Sequence, residues 1–269
     1  MTQIIITGAS GRMGRMLIQA ADAHQQVTLV AAVERSGSPF VGTDAGVIAG
    51  IGALGLDICD HLAACPEADV LIDFTAPEAC LKHAAFVAEH GMRMVIGTTG
   101  FDEQQLQNLR DTLSNSPVVM AANYSVGVNL ALSLIQQAAE VLADDYDAEI
   151  YEAHHKHKVD APSGTALAMG RALAAGRKVA LDEVAVYARE GITGAREQGS
   201  IGFSVTRAGN IIGEHKAMFI ADEERIEISH MAQDRMVFAK GAMRAAHWLS
   251  TQPQGWFDMQ DVLQLNTNP

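Results

Sequence analysis

Five adjacent side chains able to carry positive charge, His154, His155, Lys156, His157 and Lys158, form the stretch of this sequence best suited to chemistry. The chain has a formal net charge of -13, so this cluster reverses the prevailing sign. Cations packed this closely repel one another, and an anionic ligand, a bound metal or neutral imidazoles would relieve the repulsion. Most charge runs are solvated loops. Three histidines instead favour proton transfer near neutral pH.

The residues after the cluster predict the start of a helix running from Ser163 through Arg171. Backbone N–H groups in its first turn, Ser163-Gly164-Thr165, can bind a carboxylate. As pure structure, the same turn is an ordinary N-cap, and Pro162 fits the entry to a helix. Both interpretations stay open from the pattern alone.

A strand predicted over Ala148–Ala153 leads into the cluster. In an extended chain, alternate side chains point to opposite faces, so all five cations can face one ligand only if the strand ends inside the cluster. We therefore interpret Lys156 and His157 as supporting or solvated residues.

The N-terminal segment predicts a strand, a glycine-rich turn and a helix. Ile4-Ile5-Ile6 precedes Gly8, Gly11 and Gly14, a G-x-x-G-x-x-G variant of the dinucleotide fingerprint. Glycines allow the backbone to approach a diphosphate, and the start of the following helix attracts its charge.

A second predicted strand, Val27–Val33, ends at Glu34, twenty residues after Gly14. An acid at this position can accept hydrogen bonds from the ribose hydroxyls of adenosine. Arg35 can pair with a 2′-phosphate, so the two residues together indicate use of both NADH and NADPH. The alternative is a surface ion pair at the end of a strand.

Further strands are predicted at Ala68–Asp73, Arg93–Ile96 and Val118–Met120, separated by helical segments, as in a parallel doubly wound sheet. Gly97–Gly100 and Ala121–Tyr124 then fall at carboxyl ends of strands, where such sheets bind ligands. Each segment alone is also compatible with an ordinary turn.

The second half predicts a different, α+β domain. After a helix over Val128–Leu142, alternating patterns at 200–206, 214–221 and 225–230 predict antiparallel hairpins. Few helices remain to cover this sheet, so its second face is expected to pack against another subunit. A last helix is predicted over Met236–Leu249.

Composition excludes several classes of protein. An acidic chain without a basic stripe disfavours nucleic acid as a partner, and no long apolar run indicates a membrane span. Cys59, Cys65 and Cys80 lack the spacing of a disulfide framework or a zinc site. The first residues show no basic leader, so a cytoplasmic location is expected.

Four motifs carry a family resemblance: G-A-S-G-R-M-G-R from Gly8, I-G-T-T-G-F from Ile96, A-N-Y-S-V-G-V-N from Ala122, and E-A-H-H-K-H-K-V-D-A-P-S-G-T-A from Glu152. The chain resembles the bacterial dihydrodipicolinate reductase family, also called 4-hydroxy-tetrahydrodipicolinate reductase, over nearly its whole length. The resemblance implies NADH- or NADPH-dependent reduction of a cyclic, unsaturated dicarboxylate in the diaminopimelate route to lysine. It also implies a cytoplasmic homotetramer joined through C-terminal sheets.

The resemblance also implies domain bounds and site residues. A Rossmann-type cofactor domain would comprise 1–125 plus 236–269, and a domain for substrate binding and oligomerisation would comprise 126–235. Catalysis would fall to His154 and Lys158. The remaining implied residues are His155, Ser163, Gly164, Thr165 and, more weakly, Arg235 for the substrate, and Gly8, Ala9, Ser10, Gly11, Arg12, Met13, Glu34, Arg35, Gly97, Thr98, Thr99, Ala121, Ala122, Asn123 and Tyr124 for the dinucleotide, with no metal ligand.

Two other classes of protein are alternatives to this interpretation. A metal-dependent hydrolase or lyase would use His154, His155 and His157 as ligands, but no carboxylate or cysteine partner falls at a familiar spacing. A nucleotide-sensing regulator without enzymatic activity would need the first domain but no proton donors. Such a regulator usually carries a partner-binding or DNA-binding module, and no helix-turn-helix or basic arm is evident.

Overall fold

A computed structural model describes residues 1–265 and divides the chain into two compact units. Unit 1 comprises Met1–Val126 with Met236–Pro269, and unit 2 comprises Gly127–Arg235. The end of the expected cofactor domain, residues 266–269, lies outside the described residues. The assignment of cofactor binding to one domain, and of substrate binding and oligomerisation to the other, stays a prediction.

The strands, numbered along the whole chain, are β1 (Thr2–Thr7), β2 (Val27–Val33), β3 (Val70–Asp73), β4 (Arg93–Ile96), β5 (Pro117–Met120), β6 (Asp147–His154), β7 (Ala185–Val186), β8 (Ile201–Arg207), β9 (Gly213–Ile220), β10 (Arg225–Ala232) and β11 (Gly255–Phe257). The helices are α1 (Arg12–Asp22), α2 (Ala45–Ala49), α3 (Pro77–Glu89), α4 (Glu103–Thr112), α5 (Val126–Leu142), α6 (Gly164–Arg177), α7 (Leu181–Val184), α8 (Met236–Leu249) and α9 (Met259–Val262). A 3₁₀ turn spans Leu62–Ala64.

Unit 1 contains a parallel sheet with strand order β11-β5-β4-β3-β1-β2. Helices α1 and α8 cover one face through buried residues such as Leu17 and Met243, and α3 and α4 cover the other through residues such as Val87 and Leu109. The strand order reverses between β1 and β3, so the loops after these two strands border the switch point where such sheets bind ligands.

Unit 2 contains a mixed sheet with strand order β10-β9-β6-β8-β7. Strands β9 and β10 form the expected antiparallel hairpin. The expected hairpin between β8 and β9 is wrong, because β6 lies between them, parallel to β8 and antiparallel to β9. Alternation of apolar residues identifies a strand but not its partner, which explains the error. The fold class, a parallel sheet unit followed by a mixed sheet unit, is confirmed.

Helices α5 and α6 of unit 2 pack on one face of its sheet, over a core that includes Ile150 and Phe219. Strand alternation places Glu152 and His154 on this same face, beyond the apolar core. Within unit 2, none of the described helices packs on the opposite face. That face is not purely apolar, since it carries Tyr151 and Met218 beside a Lys216–Glu227 ion pair.

Candidate functional site

The loop between β1 and α1 is the glycine-rich turn that the sequence predicted, and it packs closely against α1. Gly8 has a φ of 65°, in the left-handed region that favours glycine. A Cβ atom on Gly14 would lie 2.1 Å from the carbonyl oxygen of Gly8, so only glycine lets α1 pack directly on the loop. The loop is also closed by a hydrogen bond from the Gly11 N–H to the Gly8 carbonyl, 3.0 Å long.

The first turn of α1 is suited to an anion. Its N-cap, Gly11, provides no side-chain hydrogen bond, and no acidic residue lies in the turn. Gly11 and Arg12 are both exposed. An unneutralised helix start next to a glycine loop fits the diphosphate of a dinucleotide.

Glu34 is tied to this loop. Its Oε1 accepts hydrogen bonds from the Ser10 N–H (2.8 Å) and the Ser10 hydroxyl (2.6 Å), and its Oε2 accepts one from the Arg35 N–H (3.2 Å). A carboxylate can accept about four hydrogen bonds, so capacity remains for a ribose hydroxyl. Among residues 1–265, the exposed Arg35 side chain makes no ion pair, which leaves it available to an external anion.

A buried polar network, which the sequence analysis missed, lies where β3 and β4 end. The fully buried Asp73 carboxylate accepts hydrogen bonds from the hydroxyls of Thr7 (2.9 Å), Thr75 (2.8 Å) and Thr98 (2.5 Å), and from Nδ1 of His83 (2.5 Å). Burial opposes its charge, but hydrogen bonds from His83 and Thr98 outweigh this, and the pKa of Asp73 is lowered.

This network fixes the segment expected to line the cofactor. The Thr98 side chain is buried in it, whereas Thr99 is exposed. A Cβ atom on Gly97 would lie 2.1 Å from the Phe74 ring, so glycine is required there by packing. Gly97 and Thr99 therefore present mainly backbone and one hydroxyl to any ligand.

Tyr124 has a structural role in the last expected cofactor segment. Its side chain is buried, and its hydroxyl lies 2.8 Å from the carbonyl oxygen of Ile96 and 3.1 Å from that of Val119. Burial raises the pKa of Tyr124 well above its usual value. Any contact of this residue with a nucleotide would therefore use its backbone. Ala121, Ala122 and Asn123 lie in the more exposed loop just before it.

In unit 2, β6 ends at His154, the first residue of the basic cluster. Residues 155–158 form a turn closed by a hydrogen bond from the Lys158 N–H to the His155 carbonyl (3.1 Å), so strand alternation does not continue through them. His154 is buried, His155 and Lys158 are half-buried, and Lys156 and His157 are exposed. The strand thus ends inside the cluster, and two of the five cations remain at the surface.

His154 lies in a second network that the sequence analysis missed. Its Nδ1 is 2.5 Å from Oε2 of Glu152, which is fully buried. The Arg207 guanidinium donates to both Glu152 oxygens, at 2.8 and 2.7 Å, and the Ser163 N–H donates to Oε1 at 2.9 Å. On the other side, the His215 ring packs edge-on against His154, with ring centroids 5.0 Å apart.

The charges in this network can be assigned from the direction of each pKa shift. Burial opposes ionisation of Glu152, but hydrogen bonds from Arg207 and His154 outweigh it, and the Glu152 pKa is lowered. Burial lowers the pKa of His154 despite the opposing effect of Glu152. Burial, reinforced by His154, lowers the pKa of His215 to about 4. At neutral pH the network therefore contains an ionised Glu152, a cationic Arg207 and two neutral imidazoles.

The other expected substrate residues divide into two groups. Ser163 is buried and already engaged, because its hydroxyl caps α6 at the Ala166 N–H and lies 3.1 Å from Nε2 of His215. Gly164 is exposed, and a Cβ atom there would meet nothing within 4 Å, so the first turn of α6 has open space beside it. Thr165, next to it, is partly exposed.

Lys158 and Arg235 differ in how they are held. The Lys158 ammonium lies 2.8 Å from Oδ1 of Asp160, whose backbone carbonyl also accepts a hydrogen bond of 2.7 Å from Arg207. This pairing keeps Lys158 near the Glu152–His154 pair. Arg235 follows β10 in the chain, and within residues 1–265 no hydrogen bond joins it to the cluster.

Glu152, His154 and His215 could offer three metal ligands, with donor atoms within 4.8 Å of one another. Arg207 occupies both Glu152 oxygens, and its positive charge opposes a metal ion at the same place. The described residues do not assemble the ligand set expected of a metal-dependent hydrolase, because His157 is exposed and only His154 of that trio belongs to this group.

A parallel-sheet unit with a glycine-rich loop, followed by a unit with buried histidines, is typical of a nucleotide-dependent oxidoreductase. Residues 2–124 match the family model described as dihydrodipicolinate reductase, N-terminus, and residues 127–263 match the one described as dihydrodipicolinate reductase, C-terminus. The chain therefore belongs to the dihydrodipicolinate reductase family of NAD(P)H-dependent oxidoreductases, which serves the diaminopimelate route to lysine. This assignment leaves the hydrolase and regulator alternatives without support.

Solved structures agree on the fold. Dipicolinate-bound dihydrodipicolinate reductase from Paenisporosarcina sp. TG-14 is 21% identical, with a TM-score of 0.75 over 97% of this chain and 98% of that one. An amine dehydrogenase from Mycobacterium smegmatis is 12% identical, with a TM-score of 0.63 over 95% and 94%. At these identities the likeness shows a shared architecture. In the part of the chain that the structure describes, no helix has the length and apolar character needed to span a membrane.

Proposed function

We propose that His154 and Lys158 are the acid pair of a reductase acting on 4-hydroxy-tetrahydrodipicolinate or its dehydrated form. Bound NAD(P)H supplies the hydride. Hydride addition to a conjugated ring leaves negative charge, which positioned cations stabilise and a proton then quenches. In this proposal the product is tetrahydrodipicolinate, and the hydroxylated form of the substrate also loses its hydroxyl group as one water molecule.

The observation that carries the proposal is that Glu152 contacts both the buried His154 and the Ser163 N–H at the start of α6, while the half-buried Lys158 pairs with Asp160, just before that helix. A dicarboxylate needs two anion-binding groups near one proton source. The open turn at Gly164 and Thr165 would hold one carboxylate through N–H groups at the helix start, and His155 would hold the other. Ser163 would shape that turn, and Arg235 is a second candidate for a carboxylate contact.

The dinucleotide would bind to unit 1 along the carboxyl ends of its strands. The packing that excludes a Cβ atom at Gly14, together with the uncapped start of α1, supports diphosphate binding there. Glu34 would accept from the adenosine ribose in NADH and Arg35 would pair with the 2′-phosphate of NADPH, so both nucleotides serve. The remaining contacts would come from Gly8–Met13, Gly97–Thr99 and Ala121–Tyr124.

Subunit assembly would use the face of the unit 2 sheet that α5 and α6 do not cover. A second copy of the chain is the expected occupant, giving a cytoplasmic homotetramer. Tyr151 and Met218 would supply its apolar contacts. Sedimentation at micromolar concentration should show a tetramer, and Met218→Glu should dissociate it; a monomeric parent chain would contradict this part of the proposal.

Replacing Lys158 tests the acid pair. Lys158→Ala should lower kcat by about 100-fold or more while the Kd for NADH stays within twofold, because a proton donor is lost and unit 1 is unchanged. Lys156→Ala removes an exposed cation from the same turn and serves as the matched control, with kcat within about threefold. Normal turnover by Lys158→Ala would remove this residue from the mechanism.

A further inference from the structure

Glu152 is a buried carboxylate that accepts hydrogen bonds from residues in and around the proposed acid site. Its two oxygens receive four hydrogen bonds, one from His154, two from Arg207 and one from the Ser163 backbone. A carboxylate without exposure is retained in a core only when its charge is compensated. Arg207 provides that compensation in a bidentate arrangement.

The contact with His154 fixes which ring nitrogen carries a proton. An ionised carboxylate can only accept hydrogen bonds, so Nδ1 of His154 must donate. The neutral ring then has a bare Nε2, which must first take up a proton before His154 can donate one from this position. A Cβ atom on Gly213 would lie 3.2 Å from this Nε2, so glycine limits crowding beside it.

Glu152 also contacts the expected carboxylate-binding turn. The Ser163 N–H donates to Oε1, and the Ser163 hydroxyl caps α6. One carboxylate thus holds both the imidazole and the start of the helix in place. An ordinary structural ion pair between Glu152 and Arg207 would require neither contact.

We propose that Glu152 is a positioning residue, held ionised by Arg207, that keeps His154 in the Nδ1-protonated form and presents its Nε2 for proton transfer. The inference rests on the proposed role of His154. It adds a carboxylate–histidine pair to the proposed acid site, and the two hydrogen bonds from Arg207 hold Glu152 in place.

The charged and titratable groups around His154 come from four segments. Glu152 precedes it on β6, Lys158 and Asp160 follow it in the turn region, Arg207 lies beside it on β8, and His215 lies beside it on β9. His215 has a pKa of about 4 and stays neutral across the usual assay range. A titration that disappears in His154→Gln therefore reports on His154.

The unmodified protein provides the first test. Nitrogen-15 NMR of the histidine rings, with the His154 signals identified by their loss in His154→Gln, should show Nδ1 protonated and Nε2 bare at pH 8. The opposite tautomer would overturn the inference. This measurement does not depend on any variant of Glu152 folding.

Kinetics provide the second test. Glu152→Gln should lower kcat by about 30- to 1,000-fold, leave the Kd for NADH within twofold and move the His154 titration to lower pH. Gln keeps an oxygen that can accept from the Ser163 N–H and removes mainly the effect on His154, so adding Glu152→Gln to His154→Gln should change kcat by no more than about threefold. Losses that multiply in the double variant would refute the positioning role.

Failure of the inference can be distinguished from failure of the proposed function. If His154→Gln retains full turnover, the acid assignment itself is wrong. If His154→Gln is impaired while Glu152→Gln is fully active, only the positioning role is wrong. Glu152→Asp, which keeps the charge but shortens the reach, should be less impaired than Glu152→Gln if charge dominates, and a reversed order would also count against the inference.

Discussion

Nucleotide preference should depend on one exposed side chain, and Arg35→Ala removes it. The carboxylate of Glu34 is engaged by Ser10 and by the Arg35 backbone, and the Arg35 side chain makes no ion pair within residues 1–265. Its guanidinium can therefore reach a 2′-phosphate without breaking an existing ion pair.

The size of the effect follows from exposure. A hydrogen bond to a charged group contributes about 1.5–3 kcal/mol, which corresponds to roughly 10- to 150-fold in affinity. Arg35 is exposed, so solvent and salt screen the contact and place the loss near the lower limit, about tenfold. NADH lacks the phosphate and should be affected less than twofold.

Steady-state kcat/KM with each reduced nucleotide, measured at low and at physiological ionic strength, checks this prediction. The NADPH loss should shrink at higher salt, because the interaction is electrostatic. Glu34→Gln keeps an acceptor for Ser10 but removes a negative charge, and should shift the kcat/KM ratio toward NADPH. If Arg35→Ala lowers kcat/KM equally for both nucleotides, Arg35 does not bind the 2′-phosphate.

Two further predictions concern the loop and the acid site. Gly14→Ala should weaken both nucleotides by more than tenfold in fluorescence titrations, because its Cβ would lie 2.1 Å from the Gly8 carbonyl oxygen, and unchanged Kd values would refute this packing argument. The pKa of His154 is lowered by burial, and a bound dianion such as dipicolinate should raise it. Dipicolinate should then bind with uptake of a proton by His154. Its affinity should be highest below the pKa that His154 has in the free protein and should fall as the pH rises through that pKa. Calorimetry in two buffers would contradict this if His154→Gln showed the same proton uptake.

The cofactor loop could be predicted from the sequence because its determinants are local. Gly8, Gly11 and Gly14 lie within seven residues, and the turn that they form depends on its own backbone. Asp73 was harder to recognise, since a single acid at the end of a strand carries no spacing signal. Its role becomes visible only when His83 and three threonines converge on it.

The proposed acid site could be predicted from the sequence only in part. The histidine cluster identified His154, and the i, i+2 spacing of Glu152 and His154 on one strand could have shown that they share a face. Arg207 is 55 residues from Glu152, so no local pattern connects the two. His215 was likewise not recognised, because it lies in a strand whose alternating residues are typical of any half-buried strand.

The strand order that the sequence failed to predict is the order that builds this site. In the expected arrangement, β8 and β9 would pair directly and neither would need to lie beside the end of β6. With β6 between them, the register places Arg207 opposite His154 on one side and His215 opposite Glu152 on the other. One neighbouring strand thus supplies the cation that keeps Glu152 ionised, and the other supplies a neutral ring that packs against His154. Because both partners come from backbone pairing rather than from flexible loops, the carboxylate–histidine pair is held in place before any ligand binds.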